Sequence, residues 1–489
     1  MAHIQVMVDQ ISEGQIEWAE IEEDFDVVSI GYGDDNRRYP VCKGIDQWCK
    51  RLKKQFPEEE AGIDEFIKLV KLGKGTVKYR ILVKMFPLWL SLFLIKTGLL
   101  SFITKLWSAP LVTSTKDTIE KLTSNKDLQA VMTYSWGDYG TPPAKSNWSM
   151  QAVLHNHYMY GGYYPIGGSS EIALNIIPVI ERTGGKVLVR AEVEQILHNG
   201  SKAMGVKVKK GNETYSIQAP IIISDAGLYN TFERLLPPQV AQKSYYYDYC
   251  KQLKPAAGCI SIFVGFDKSS EELGLRRENC WAFTTNDMGI NFDQYLAMSP
   301  EKAIDAEIPL MFVSFPSAKD PNWKNHPGRE NKSTMAIVTL ANWDWYKQWE
   351  NEPLKKRGEE YEEFKKTIGQ RMVDRCCELY PQIKDHVDYV DVGTPVTHKH
   401  YIAAPHGEIY GLDHTIERMD AERTAKLRPK TDIPGLYLTG QDILLCGFTG
   451  AIYGGLVAAG AVLERNVMVD LMNIQKVQVR EAKGGKKVD

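Results

Sequence analysis

Pro434-Gly435-Leu436-Tyr437-Leu438-Thr439-Gly440-Gln441-Asp442, running into Cys446-Gly447-Phe448-Thr449-Gly450-Ala451, decides the fold class. A short apolar strand ends in Thr439-Gly440, an acidic residue stands just beyond, and a glycine-rich turn opens a helix. Along that helix small residues recur at Gly450, Gly454 and Ala458, and again at Ala451, Gly455 and Ala459. Each set falls on one helix face, where other backbone or a flat ligand approaches closely. The first turn of a helix presents free N–H groups and partial positive charge, suited to a pyrophosphate or a reduced flavin ring. Asp442 stands where it can accept a hydrogen bond from a ribityl or ribose hydroxyl. A tightly packed strand–helix unit uses the same pattern; the Gly-Gln-Asp before a small-residue helix favours the flavin site.

The chain has 489 residues, room for two or three domains and a large core. With 43% hydrophobic and 25% charged residues, disorder, collagen and coiled coil are excluded as classes. A net charge of −3 offers no basic excess for nucleic acid. Cys42, Cys49, Cys250, Cys259, Cys280, Cys376, Cys377 and Cys446 show neither metal-ligand spacing nor a CxxC pair. No metal site is expected, and the thiols are taken as reduced. Sequons begin at Asn147, Asn199, Asn212 and Asn331 and matter only in a secretory lumen.

From Asp9 to about Asn147 the pattern is mostly helical, with an extended piece at residues 25–30. Gly31-Tyr32-Gly33-Asp34-Asp35-Asn36 half imitates a dinucleotide fingerprint, but Asn36 stands where the third glycine belongs, so it is assigned to a hairpin turn. Tyr164-Pro165-Ile166-Gly167-Gly168-Ser169-Ser170-Glu171 introduces an apolar helix over residues 172–182. Strands are expected at residues 186–197, 203–209 and 213–218, then a buried run at Ile221-Ile222-Ile223 that stops at Ala226-Gly227. The predicted segments are 1–150, helical and facing substrate or membrane; 151–243, central FAD-binding; 244–394, substrate domain; 395–470, C-terminal FAD-binding. A charged tail over 471–489 is expected to be disordered from Gln475 onward.

Residues 80–107 carry Lys84, Trp89, Lys96, Lys105 and Trp107 around an eleven-residue apolar run broken by Pro87. The run is too short to span a bilayer and fits a monotopic membrane patch or a core helix. Lys486-Lys487 near the C-terminus resembles a dilysine retrieval signal, and the localisation expected is peripheral or monotopic association with the endoplasmic-reticulum membrane.

Several blocks together resemble the phytoene desaturase and carotenoid isomerase group of flavoproteins, above all its members that saturate a retinoid double bond. They are Asp-Gln-Ile-Ser-Glu-Gly-Gln at 9–15, Asn156-His157-Tyr158-Met159 before Gly161-Gly162, and Tyr164 to Ile172. Ser314-Phe315-Pro316-Ser317-Ala318-Lys319-Asp320-Pro321 and the C-terminal strand and helix complete the set. The resemblance implies an α/β protein: a discontinuous, Rossmann-like FAD-binding domain with an inserted mixed α/β substrate domain. It also implies FAD as cofactor, NAD or NADP as possible electron donor, and retinol or another apolar polyene as substrate. On matched positions, the Val193 backbone would face the adenine, Ala226-Gly227 would flank the dinucleotide, and Gly440 and Asp442 would hold the linker. Gly450-Ala451 amides would point at the isoalloxazine. Members open with a βαβ unit of ~30 residues carrying GxGxxG; this chain is expected to start downstream of it, N-terminally truncated, and to bind FAD weakly.

A polyene reductase needs hydride from flavin and a proton at the neighbouring carbon. Tyr410 is the single candidate donor, with stacking as its alternative role; His155 and His157 are taken as core histidines. Redox-neutral isomerisation with the same flavin, and a non-catalytic membrane-associated product, are the other two readings.

Overall fold

A computed structural model describes residues 2–104 and 112–484. Its largest sheet has seven strands, ordered Val387–Gly393, Gly258–Phe266, Ser333–Ala341, Leu310–Ser314, Asn279–Phe283, Asp24–Ile30 and Arg37–Cys42. Neighbours run antiparallel except Asn279–Phe283 and Asp24–Ile30, which are parallel with Asn279 opposite Asp26. Side chains alternate across the sheet. Trp281 and Phe283 enter one core with Phe66 and Trp148, while Cys280 and Ala282 enter another with Phe364, Ile368 and Met372. Helices Glu60–Met85 and Trp148–Tyr158 thus cover one face and Glu359–Leu379 the other. Gly73 lets the first two approach so closely that a Cβ there would lie 2.4 Å from Ala152 Cβ.

This sheet changes the expected organisation. Residues 1–150 are not a separate helical region, because two of their strands complete the sheet of the inserted domain. The connection between those strands is the hairpin expected at Gly31, which has φ +90° and would press a Cβ to 2.8 Å from the Asp35 carbonyl oxygen.

The second lobe is discontinuous. Strands Glu192–His198, Ala203–Lys210 and Glu213–Gln218 form an antiparallel sheet, and Ile222–Ser224 pairs in parallel with the distant Leu436–Leu438. Ile196, Ile222, Leu228, Leu436 and Leu438 share one core. The strand expected from residue 186 starts only at Glu192; Val187, Leu188 and Val189 are exposed and outside any strand. β-branched sequence favours a strand only where a neighbour accepts it. The tail also differs from expectation: Val467–Gly484 is helical, and its Leu471 packs on Val6 and Met7 of helix Ala2–Ser12.

Beyond Pro87 the chain forms helices Leu88–Lys96 and Leu99–Thr104. Trp89 is 70% exposed and Phe102 85%, with Phe93 and Ile103 exposed beside them. Lys84 does not reach this surface. It is buried, and its ammonium donates to the Thr424 carbonyl at 2.6 Å and to that of Leu427, at the end of helix Ala421–Lys426. Arg428 returns the arrangement, donating to the Val83 and Phe86 carbonyls at 2.9 and 2.7 Å. Two buried basic side chains thus cap each other's helix C-termini. Burial, and then the Arg428 charge, push the Lys84 ammonium well down, so its part is chiefly that of a hydrogen-bond donor. Among the described residues no single helix is long and apolar enough to cross a membrane. Lys105, Trp107, Lys486 and Lys487 lie outside the described residues.

Candidate active site

The strand Leu436–Leu438 delivers the chain into a turn at Gly440, whose φ is +84° and where a Cβ would sit 1.9 Å from Asp225 Oδ1. Asp442 follows, only 4% exposed, and each of its oxygens accepts one backbone N–H at 2.8 Å, Oδ2 from Leu228 and Oδ1 from Leu412. It therefore clips three segments together around Ala226-Gly227. Gly227 lies against the same carboxylate, with a Cβ position 3.2 Å from Oδ2. Ala226, Gly227, Gly440 and Asp442 are thus brought into one cradle. Val193 stands apart on the antiparallel sheet, opposite Val208 and packed against the lobe's core.

Helix Gly447–Val462 separates its two small-residue stripes. Gly450 and Gly454 face inward: a Cβ at Gly450 would lie 1.8 Å from the Leu445 carbonyl oxygen, and one at Gly454 2.7 Å from that of Gly440. This stripe packs backbone on backbone. Ala451 is exposed and Gly455 has open space before it. Gln441 Oε1 accepts the first N–H of the helix, that of Gly447, at 3.3 Å, and the N-cap Cys446 supplies no side-chain cap for the next ones. Positive-φ glycine turns and the open small-residue face at Ala451 and Gly455 fit a flavin dinucleotide.

Phe448 and Thr449 of that helix start also line a cavity of about 300 Å³ between the lobes. Its walls include Trp18, Ile21, Phe25, Trp281 and Phe312, and its polar end holds Asp26, Asp138, Asn279 and Lys319. The sheet register builds this end. Asn279 stands opposite Asp26 in the parallel pair and donates to it at 2.8 Å; Tyr134 and Trp281 Nε1 donate at 3.1 and 3.3 Å. Lys319 donates to Ser314 Oγ at 2.7 Å and to Asn279 Oδ1. Burial pushes the Asp26 carboxyl up to about 6 and the Lys319 ammonium down to about 8. Asp138 is pushed further, to about 8, by burial and then by the Asp26 charge, with Tyr158 beside it opposing. A carboxyl so placed keeps its proton at neutral pH.

Tyr410 is half-buried, and its phenol donates to the Gly137 carbonyl at 3.1 Å. It braces the turn Tyr134–Asp138 that presents Asp138. His155 is a core residue against Met132 O at 2.7 Å, whereas His157 lines the cavity. The sequence reading missed Asp26, Asp138 and Asn279; Lys319 lay in a quoted block without a role. No local pattern marks them: Asp26 and Asn279 meet by strand pairing across more than 250 residues, and Asp138 and Lys319 join them from a separate turn and helix.

The fold is shared with a solved oxidoreductase from Methanosarcina mazei, at TM-score 0.53 and 15% identity, covering 94% of this chain and 84% of that one. No protein-family model matches the chain. The fold is that of the solved oxidoreductase, and the cradle at Ala226-Gly227, Gly440 and Asp442, with the open face at Ala451, is where a dinucleotide cofactor would fit. The chain is 42% identical over 476 residues to an all-trans-retinol 13,14-reductase of Danio rerio, covering 97% of this chain and 77% of that protein. A second Danio rerio protein, named an inactive all-trans-retinol 13,14-reductase, is 37% identical over the same shares of the two chains. The chain belongs to the all-trans-retinol 13,14-reductase family.

Proposed function

We propose that the chain is a flavin-dependent reductase that saturates a carbon–carbon double bond of a retinoid, the 13,14 bond of all-trans-retinol or its counterpart in a related polyene. The observation that carries this reading is the cavity between the helix start at Phe448-Thr449 and the polar end at Asp26 and Asp138. Ala226-Gly227, Gly440, Asp442 and the exposed Ala451 face are the residues that would hold FAD, with the Val193 backbone toward its adenine. When bound and reduced, FAD supplies a hydride to one alkene carbon. The chain's own residues do the rest. Trp18, Phe25, Trp281 and Phe312 align the polyene and exclude water, and the buried carboxyls hold a proton at the polar end.

Electrons reach the flavin, in this proposal, from NADH or NADPH. The exposed Trp89, Phe93, Phe102 and Ile103 favour docking on the endoplasmic-reticulum membrane, where an apolar substrate is dissolved. The test is to load the purified chain with FAD, record its visible spectrum, and supply all-trans-retinol with a reductant. The expected result is a bound-flavin spectrum, a product heavier by two hydrogens, and one reductant consumed per product. Isomer interconversion without reductant would point to the isomerase instead. A flavin-loaded chain that turns over nothing would match the inactive relative and sink the proposal.

A further inference from the structure

Resting on the reductase reading, we propose that Asp138 is the catalytic acid, delivering the proton to the alkene carbon next to the one that receives hydride. The balance is simple. The double bond gains H⁻ and H⁺, the flavin loses two electrons, and Asp138 is left as a carboxylate that solvent reprotonates after product leaves.

Geometry selects this residue. Asp138 and Asp26 are carboxyls of the cavity wall, and the helix start on the flavin side lines the same space. Asp26 is committed, accepting hydrogen bonds from Asn279, Tyr134 and Trp281 with Lys319 close by, a set that favours its charged form. Two carboxyls facing one apolar space do not both ionise readily, so the proton resides on Asp138. The other groups around Asp138 are Tyr158 from helix Trp148–Tyr158, Tyr410, the Cys446 thiol on its backbone carbonyl, and His157 on the cavity wall. Burial holds the Tyr158 and Tyr410 phenols and the Cys446 thiol far up and the His157 imidazole down near 4. At neutral pH none of these competes as a charge, and the phenols are too weakly acidic to lead. Tyr410 is a positioning residue: its bond to Gly137 O fixes the turn that aims Asp138.

The experiment pairs turnover with a spectrum that needs no turnover. Asp138→Asn should bind flavin with an unchanged visible spectrum yet saturate substrate about 10²–10⁴-fold more slowly. In the chain as purified, infrared titration should show protonated-carboxyl intensity at pH 7, with a component lost only near pH 8, above the loss of Glu408, and that component should be absent from Asp138→Asn. Asp26→Asn, which removes the neighbouring charge, should shift that loss to lower pH. Turnover by flavin-loaded Asp138→Asn within threefold of the parent overturns the donor role and leaves the reductase reading standing. Absence of that component from the parent likewise overturns it. A parent that holds flavin and the component but saturates nothing overturns the reductase reading, and the donor role falls with it.

Discussion

Asp442 is a residue whose importance was visible in the sequence and whose task was not. Its position after Thr439-Gly440 marked it as special. Its partners, the amides of Leu228 and Leu412, come from segments no local pattern connects to it. Asp442→Asn should be destructive although nearly isosteric, because whichever way the amide turns, its NH₂ faces a backbone N–H. Leaving a buried donor unmet costs about 1–3 kcal/mol. The expected drop in unfolding free energy is read by denaturant titration, and a variant within about 0.5 kcal/mol of the parent would refute the clip. Gly450 follows the same logic: the sequence left open whether backbone or a flat ligand approaches it, and the structure puts the Leu445 carbonyl there, while Gly440 has the Asp225 carboxylate as its first neighbour.

At the level of elements, legibility followed the reach of the signal. The strand–turn–helix at Leu436–Leu438 and Gly447–Val462 was readable because its glycines and alternation are local. The segment Lys186 to Val189 has the composition of a strand and no partner, so its apolar side chains stay in solvent. The apolar helices Leu88–Lys96 and Leu99–Thr104 were open to two interpretations, and the exposure of Trp89 and Phe102 favours the surface one. Trp89→Glu should therefore weaken co-sedimentation with phospholipid vesicles while leaving thermal stability within about 0.5 kcal/mol of the parent, as for other exposed positions. Equal vesicle binding by the two proteins would exclude the patch as the contact.

Over the whole molecule, the buried carboxyls set the pH response. Asp138 at about 8, Glu408 at about 7 and Asp26 at about 6 retain protons that the unfolded chain has released by pH 5. Their folded values are raised, so their contribution is full below the unfolded values and is lost as pH rises through the folded ones. Each changes stability by up to ~1.4 kcal/mol per pH unit in its window. His155 and His157, lowered to about 4, act oppositely: their contribution is present above about 6.5 and lost as pH falls toward 4. The unfolding temperature should decline from about pH 6.5 to 8, above which the lowered Lys319 opposes further loss, and Asp138→Asn should flatten that decline. An unchanged slope in the variant would place the proton elsewhere. None of this was legible in the chain, where Asp26, Asp138, Asn279 and Lys319 are scattered; the parallel pairing of Asp24–Ile30 with Asn279–Phe283 joins Asp26 and Asn279, and the turn Tyr134–Asp138 and the helix Pro316–Lys319 bring in the other two.

The mutual capping by Lys84 and Arg428 gives this architecture a long-range brace. The end of helix Glu60–Met85, just before the helices that display Trp89 and Phe102, is pinned through carbonyls at Val83, Phe86, Thr424 and Leu427 to the stretch that precedes Leu436–Leu438. A vesicle or partner that holds the surface at Trp89 therefore lies one helix end away from a segment cross-tied, by two basic side chains, to the chain that runs on to the turn at Gly440.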